Sequence, residues 1–296
     1  MNEQVIPDGG KAPEGVETED PFQRLGVLTA GASLKAREGD LLRFDLLVGT
    51  VVVPALLRVH PDFPEKLLVA FNGAVARRAT KSPLETFQRR TWVDDFRGSA
   101  LFIADPTLQP HNRISIGWGQ GTEGAFALPA MAATAQFVAR ELGIASSKRL
   151  YYGSSAGGFQ ALQVAARDAG SQVLVNNAQI DWTRYFTPYV NTICSHAFGG
   201  KTPEEITEQT PHRVSVVDAF AEFDHVPQVR YLLNTGSQND LALQAPALLE
   251  RLGRVAGAAA VPRIEVAAYY DKKAGHMPLS RPRSVREVNR ALDSLE

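Results

Sequence analysis

The residues with the clearest chemical potential form the run Gly153-x-Ser155-x-Gly157. An apolar, strand-forming run precedes it, and the helix-forming run 160–166 follows it. Glycine at both ends removes the Cβ atoms that would collide where a strand meets a helix, and it permits strained backbone angles at the turn. Ser155 would then stand at the apex with its hydroxyl exposed. The spacing therefore predicts a serine nucleophile that attacks a carbonyl group.

A strand, this pentapeptide and a helix together resemble the nucleophile elbow of the α/β-hydrolase superfamily. The resemblance extends from about Lys66 to the C-terminus. It implies a mostly parallel sheet with its active groups at the carboxyl ends of the strands. It also implies that an acid and then a histidine follow the serine along the chain, each in a loop after a strand.

That order selects Asp240 and His276, each of which follows a predicted strand. A serine hydroxyl is a weak nucleophile near neutral pH, so it needs a base within hydrogen-bonding reach and a third group that orients the base. We therefore predict Ser155, Asp240 and His276 as the catalytic residues. Asp181, after the strand that follows the elbow, is the alternative acid. Asp240 also suits the N-cap of the next helix, and both roles are compatible.

Backbone N–H groups that stabilise a developing oxyanion are expected at two places. One is Ala156, directly after the serine. The other is the loop after the strand 66–71, where Asn72 or Gly73 is the candidate and Ala74 is the alternative. Members of the superfamily often carry a His-Gly pair in this loop, and this chain does not.

Three aromatic residues are candidates for substrate contacts. Trp118 lies in the glycine-rich loop 117–121, which lacks the spacing of a nucleotide-binding motif. Trp182 and Tyr185 lie in the irregular aromatic segment 181–212, which we predict as a cap over the site. Packing in the core is the alternative role for all three.

The elements that must position these residues alternate between strands and helices through most of the chain. This alternation predicts an α/β fold whose mostly parallel sheet carries helices on both faces. Residues 1–21 are predicted to be a disordered tail, and 22–296 a single α/β-hydrolase domain. Within it, 22–62 should form strands of an antiparallel edge or a small β-subdomain. A short strand is expected at 114–117, and a helix at 213–223.

Composition narrows the classes of function. The 296 residues are 44% hydrophobic and 21% charged, which is typical of a soluble globular protein. A net charge of −1 gives no reason to expect a nucleic-acid partner. No signal peptide or membrane-spanning run is evident, and the single cysteine, Cys194, fits a reducing cytoplasm. No cofactor is expected, no cluster has the spacing of a metal site, and nothing indicates an oligomeric state.

A narrower resemblance rests on the runs 153–162 and 176–181. They are similar to a bacterial group of hydrolases associated with cell-surface polysaccharides, which includes proteins like the accessory-secretion carbohydrate esterase. That resemblance implies an ester on a glycan as the substrate. Our hypothesis is a serine esterase that acts on a small-molecule or glycan ester through an acyl-enzyme on Ser155. An acyltransferase with the same triad, and a degenerate hydrolase that serves as a binding or assembly factor, are the competing hypotheses.

Overall fold

The structure is a computed structural model that describes residues 22–77, 82–255 and 263–296. The predicted tail at 1–21 lies outside the described residues. The central element is a nine-stranded sheet. Its strands are β1 (Gln23–Thr29), β2 (Leu41–Val48), β3 (Val51–Arg58), β4 (Leu67–Phe71), β5 (Ser99–Ile103), β6 (Arg149–Ser154), β7 (Gln172–Asn176), β8 (Gln228–Asn234) and β9 (Ile264–Tyr269).

The strand order is β1-β2-β3-β5-β4-β6-β7-β8-β9. From β5 to β9 every neighbouring pair is parallel, whereas β3 is antiparallel to both β2 and β5. The predicted mostly parallel α/β sheet with antiparallel strands near its N-terminus is therefore confirmed. β1 adds a detail that the sequence did not suggest, because it lies parallel to β2 and occupies the outer edge.

Helices cover both faces of this sheet. They are α1 (Ala127–Glu141), α2 (Ala156–Ala165), α3 (Thr187–Ala197), α4 (Pro203–Gln209), α5 (Pro211–Val214), α6 (Val216–Glu222), α7 (Ala245–Val255) and α8 (Arg281–Asp293). The larger core cluster lies between the sheet and α1, α2, α6 and α7, and the smaller lies under α8. β4 and β5 are buried along their whole length, as expected for strands covered on both faces. None of the helices in the described residues is long and apolar enough to cross a membrane.

Two expected elements differ in the structure. Residues 114–117 are a loop rather than a strand, although Ile114 and Ile116 are buried. Their apolar character therefore reflects packing of a loop against the core. The helix expected at 213–223 is broken at Ser215, whose backbone is extended and whose hydroxyl accepts a bond from the Val217 N–H. Serine commonly caps a helix in this way, so α6 starts afresh after α5.

Candidate active site

Ser155 occupies a sharp turn between β6 and α2. Its φ of 55° and ψ of −127° lie in a region that residues with side chains rarely adopt. The two glycines of the motif allow the turn to close. A Cβ at Gly153 would overlap the backbone of Gly157, and one at Gly157 would lie 2.7 Å from the Phe71 carbonyl oxygen. Ala156 begins α2, so its N–H has no acceptor within the helix and points toward the turn.

The structure brings Ser155, His276 and Asp240 together. The Ser155 Oγ lies 2.8 Å from the His276 Nε2, and the His276 Nδ1 lies 2.9 and 2.8 Å from the two Asp240 carboxylate oxygens. A carboxylate only accepts hydrogen bonds, so the neutral imidazole carries its proton on Nδ1. Nε2 is then free to accept the serine proton. Asp240 is 1% exposed, which keeps its carboxylate away from bulk water, whereas the His276 side chain is partly exposed.

A π-helical turn, Asp240–Gln244, presents the acid. Its first and last side chains both point inward, and they hold different partners. Asp240 contacts His276, while the Gln244 Oε1 accepts bonds from the Ile180 N–H at 2.8 Å and the Asp181 N–H at 3.1 Å. The turn is therefore anchored at both ends, which fixes the direction of the Asp240 carboxylate.

Asp181, the alternative acid, has other partners. Its Oδ1 accepts bonds from the Thr183 N–H at 3.0 Å and the Thr183 Oγ1 at 2.6 Å, and its Oδ2 lies 3.4 Å from Arg184. Burial raises the pKa of this carboxyl above its usual range. These contacts cap the short turn Trp182–Arg184. The structure therefore favours Asp240 as the partner of His276.

Asparagines at the ends of β7 and β8 hold the histidine loop. The Asn234 Nδ2 donates to the carbonyl oxygens of Asp271 at 2.8 Å and Gly275 at 2.7 Å. The Asn177 Nδ2 donates to the His276 carbonyl oxygen at 3.3 Å. Neither residue is among the predicted site residues. The available signal was a pair of adjacent asparagines at the end of an apolar strand.

Two amide side chains, those of Asn72 and Gln88, hold the loop after β4 in place. The Asn72 Oδ1 accepts the Gln88 N–H at 2.9 Å, and the Asn72 Nδ2 donates to the Thr86 carbonyl oxygen at 2.6 Å. In return, the Gln88 Oε1 accepts the Gly73 N–H at 2.9 Å, and its Nε2 donates to the Ala74 carbonyl oxygen at 2.7 Å. The Gly73 N–H is therefore occupied in this structure. Within the described ranges, the Ala74 N–H has no hydrogen-bond acceptor.

Trp118 and Trp182 do not line an open pocket. Both are 0% exposed and stack on each other with ring centroids 5.7 Å apart. Their burial favours the alternative role, packing in the core, over the predicted substrate contacts, which stay a prediction. Tyr185 is partly exposed, and its ring lies 6.2 Å from that of His276. Burial raises the pKa of the Tyr185 hydroxyl to about 12, so it stays protonated near neutral pH.

A glutamine contacts the serine hydroxyl directly. The Gln179 Nε2 donates to the Ser155 Oγ at 3.1 Å, and the Trp118 Nε1 donates to the Gln179 Oε1 at 2.5 Å. Gln179 lies in the run 176–181 and is not one of the predicted site residues. The feature of the sequence that could have indicated a role is a polar residue shortly after the predicted strand that follows the elbow.

A guanidinium group lies behind the elbow. The Arg89 Nη2 donates to the Ser154 Oγ at 2.6 Å, and its Cζ lies 5.1 Å from the Tyr152 ring and 5.7 Å from the Trp92 ring. Among the described residues, its Nε and Nη1 atoms have no acceptor although they are buried. A positive charge therefore stands beside the residue that precedes Ser155, which favours negative charge at the elbow.

Two of the other described histidines, His60 and His196, have local hydrogen-bond partners. The His60 Nδ1 accepts the backbone N–H groups of Asp62 and Phe63, and His196 contacts the Asn112 side chain. Burial lowers the pKa of His196 below its usual range. No group of three potential metal ligands converges within 22–77, 82–255 and 263–296. His276 is the histidine that the structure places against a serine and an acid.

The strand order, the elbow and the loops after β8 and β9 define the α/β-hydrolase fold, and solved structures share it. The capsule O-acetyltransferase of Neisseria meningitidis serogroup A is 12% identical, with a TM-score of 0.56 over 83% of this chain and 95% of that chain. An arylesterase is 15% identical, with a TM-score of 0.57 over 90% and 89%. The Glycosylation Associate Protein (Gap123) complex of Streptococcus agalactiae is 14% identical, with a TM-score of 0.60 over 85% and 46%.

These likenesses establish the fold of this chain, and the resemblance to the α/β-hydrolase superfamily is confirmed at that level. The neighbours include esterases and an O-acetyltransferase, so the fold is one that carries hydrolases and acyltransferases. No model of a known protein family matches the chain. No curated protein matches its sequence.

Proposed function

We propose that this protein is a serine hydrolase that cleaves a carboxylic ester through an acyl-enzyme on Ser155. The observation that carries the proposal is the unbroken hydrogen-bonded chain from the Ser155 Oγ through His276 to the buried Asp240 carboxylate. A base and an orienting acid in this arrangement are what a serine hydroxyl needs to become a nucleophile.

In the first half of the reaction, the Ser155 Oγ attacks the ester carbonyl carbon and its proton passes to the His276 Nε2. Asp240 stabilises the imidazolium that forms. The carbonyl oxygen gains negative charge, and the Ala156 N–H is one donor for it. The Asn72 or the Ala74 N–H is the second donor that we propose, because the Gly73 N–H is engaged by Gln88. His276 then returns the proton to the leaving alcohol as the tetrahedral intermediate collapses.

In the second half, water attacks the acyl-enzyme. His276 takes a proton from this water, and the bond between the acyl carbon and the Ser155 Oγ breaks. The Oγ recovers its proton from the imidazolium, and a carboxylic acid leaves. Each step uses side chains and backbone groups of this chain alone.

The substrate that we propose is an O-acyl ester, and the glycan ester suggested by the sequence is the specific candidate. Two structural neighbours support this choice by their names: a capsule O-acetyltransferase and a glycosylation-associated protein complex. Tyr185, which is partly exposed and close to His276, is the aromatic side chain that we place against the substrate. We propose that the segment 181–212, which follows β7 and contains Tyr185, forms a cap over the site.

Acyl transfer is the second candidate function. It is favoured by the capsule O-acetyltransferase, of which the match covers 95%. The same triad would form the same acyl-enzyme, and an alcohol would replace water in the second half. Product analysis with p-nitrophenyl acetate and an added acceptor alcohol separates the two: free acetate indicates hydrolysis, and an acetylated acceptor indicates transfer.

The test of the proposal is Ser155→Ala. We expect the variant to lose turnover of p-nitrophenyl acetate and labelling by a fluorophosphonate probe, with an unchanged melting temperature. Ser147→Ala is the matched control, because the Ser147 hydroxyl is bonded to the Glu296 carbonyl in an exposed contact. Wild-type turnover in the Ser155 variant would refute the proposal. An unlabelled and inactive wild-type protein would favour the binding-factor hypothesis instead.

A further inference from the structure

Gln179 forms hydrogen bonds with both the side chain and the backbone of Ser155. Its Nε2 donates to the Ser155 Oγ at 3.1 Å, and its backbone N–H donates to the Ser155 carbonyl oxygen at 3.2 Å. The side chain is 0% exposed, so water does not compete for these bonds. We propose that Gln179 is a further catalytic residue, whose amide directs the Ser155 proton toward His276. The inference rests on the proposed function of Ser155.

The orientation of the Gln179 amide follows from its second partner. An indole N–H can only donate a hydrogen bond, so the amide oxygen must face Trp118. The amide NH₂ group must then face Ser155. Trp118 therefore determines which end of the amide reaches the nucleophile.

The backbone around Trp118 is strained and held in place. Trp118 has a φ of 50°, which is unusual for a bulky residue. The next N–H, that of Gly119, donates to the Asp105 Oδ2 at 2.9 Å, and the same oxygen accepts the Gln160 Nε2 at 3.1 Å. Asp105 is buried, so this anchor is rigid. Strain of this kind persists where the surrounding structure enforces it, often at functional sites.

The chemistry follows from the valence of a hydroxyl. The Ser155 oxygen has one proton and two lone pairs. When the Gln179 N–H occupies one lone pair, the proton is directed to the His276 Nε2, and the other lone pair is free to attack. Gln179 keeps its own proton throughout. Its donation also stabilises the negative charge that builds on the Oγ as His276 removes the serine proton, and again as the acyl-enzyme breaks down.

The first experiment removes the donor. We expect Gln179→Met to lower kcat/KM for p-nitrophenyl acetate by about 10- to 100-fold, because one bond that orients the nucleophile is lost. The rate of labelling by a fluorophosphonate probe should fall by a similar factor. Gln163→Met is the matched control. Gln163 is also a buried glutamine, but its amide donates to the His212 and Ser215 carbonyl oxygens rather than to Ser155.

The second experiment reverses the direction of the hydrogen bond between residue 179 and the Ser155 Oγ. In Gln179→Glu, a protonated carboxyl can still donate to the Ser155 Oγ, whereas a carboxylate can only accept and would draw the serine proton away from His276. We therefore expect kcat/KM of this variant to fall as the pH rises through the pKa of the new carboxyl, a decline that the wild type lacks. A residue with a purely structural role would lower the rate equally at every pH. Trp118→Phe keeps most of the packing but removes the indole donor, and it should reproduce part of the loss.

The outcomes separate this inference from the proposed function. If Ser155→Ala is inactive while Gln179→Met and Trp118→Phe keep wild-type kcat/KM, the role of Gln179 is refuted and the serine mechanism stands. If Ser155→Ala stays active, both fail. If Gln179→Met does not fold, the pH profile of Gln179→Glu decides. A profile parallel to that of the wild type overturns the inference, and a decline with rising pH that the wild type lacks supports it.

Discussion

Gly157 lies where α2, the elbow and the loop after β4 come closest together. A Cβ at this position would lie 2.7 Å from the Phe71 carbonyl oxygen and 2.9 Å from both the carbonyl carbon and oxygen of Asn72. Real Cβ atoms essentially never approach other atoms within 3.0 Å. All three neighbours are backbone atoms, so none can rotate away. In Gly157→Ala, the helix and the loop must therefore separate by a few tenths of an ångström.

Two effects oppose each other in this variant. Replacing glycine by alanine within a helix stabilises the folded protein by about 0.5–1 kcal/mol. Overpacking of a buried site costs about 1–3 kcal/mol, and a contact with backbone belongs to the upper part of that range. We therefore expect Gly157→Ala to lose about 1–2 kcal/mol, which is a fall in melting temperature of about 2–8 °C for a domain of this size. The wider gap between the Ala156 N–H and the loop after β4 should also lower kcat about tenfold, since a displacement of 1 Å costs about 100-fold.

The assay compares Gly157→Ala with Gly253→Ala. Both glycines lie in helices, but nothing is within 4 Å of a Cβ at Gly253. The control should therefore gain about 0.5–1 kcal/mol and keep wild-type turnover of p-nitrophenyl acetate. Thermal unfolding and kcat are measured on both. An unchanged or raised melting temperature in Gly157→Ala, with normal kcat, would show that the helix and loop are not tightly apposed and would refute the reasoning.

Three further predictions address the acid, the loop clamp and a buried carboxyl. Asp240→Asn should lower kcat by about 10⁴-fold without changing circular dichroism, because His276 loses the group that holds its tautomer; an active variant would remove Asp240 from the triad. Gln88→Ala should lower kcat about tenfold, because the loop loses two bonds from this side chain; unchanged kcat would contradict the clamp. Burial raises the pKa of Asp105 above 3.8. Its native state therefore holds the proton more tightly than the unfolded state, and this contribution to stability is lost as the pH rises through the raised pKa. Melting temperatures measured against pH should show this loss in the wild type and not in Asp105→Asn.

Local patterns were sufficient for the parts of the fold that depend on neighbours in sequence. The strand–turn–helix at the elbow, the mostly parallel sheet and the antiparallel strands within 22–62 are confirmed, because each follows from the spacing of small, apolar or turn residues. The catalytic roles of Ser155, Asp240 and His276 stay a prediction, although the structure places the three side chains within hydrogen-bonding distance. Their order along the chain selected them because parallel strands bring their carboxyl ends to one edge.

Other features depend on contacts between distant segments, and local patterns do not encode these. Ile114 and Ile116 lie in a loop that packs against the core. Hydrophobic periodicity cannot distinguish such a buried loop from a buried strand. Trp118 and Trp182 stack on each other although 63 intervening residues separate them in the sequence. Gln88 and Gln179 acquire their partners only when the loops after β4 and β7 reach the elbow. An isolated glutamine carries no local signal for such a contact.

The π-helical turn Asp240–Gln244 limits how this protein can change in length. Both ends are fixed to separate partners, Asp240 to His276 and Gln244 to the backbone of Ile180. Each added or removed residue rotates the following side chains about the axis of the turn, so deleting or inserting one residue between them would turn one of the two side chains away from its partner. Substitutions at the exposed Leu241 preserve the spacing. In libraries or related sequences, this segment should therefore vary in composition while its residue count stays constant.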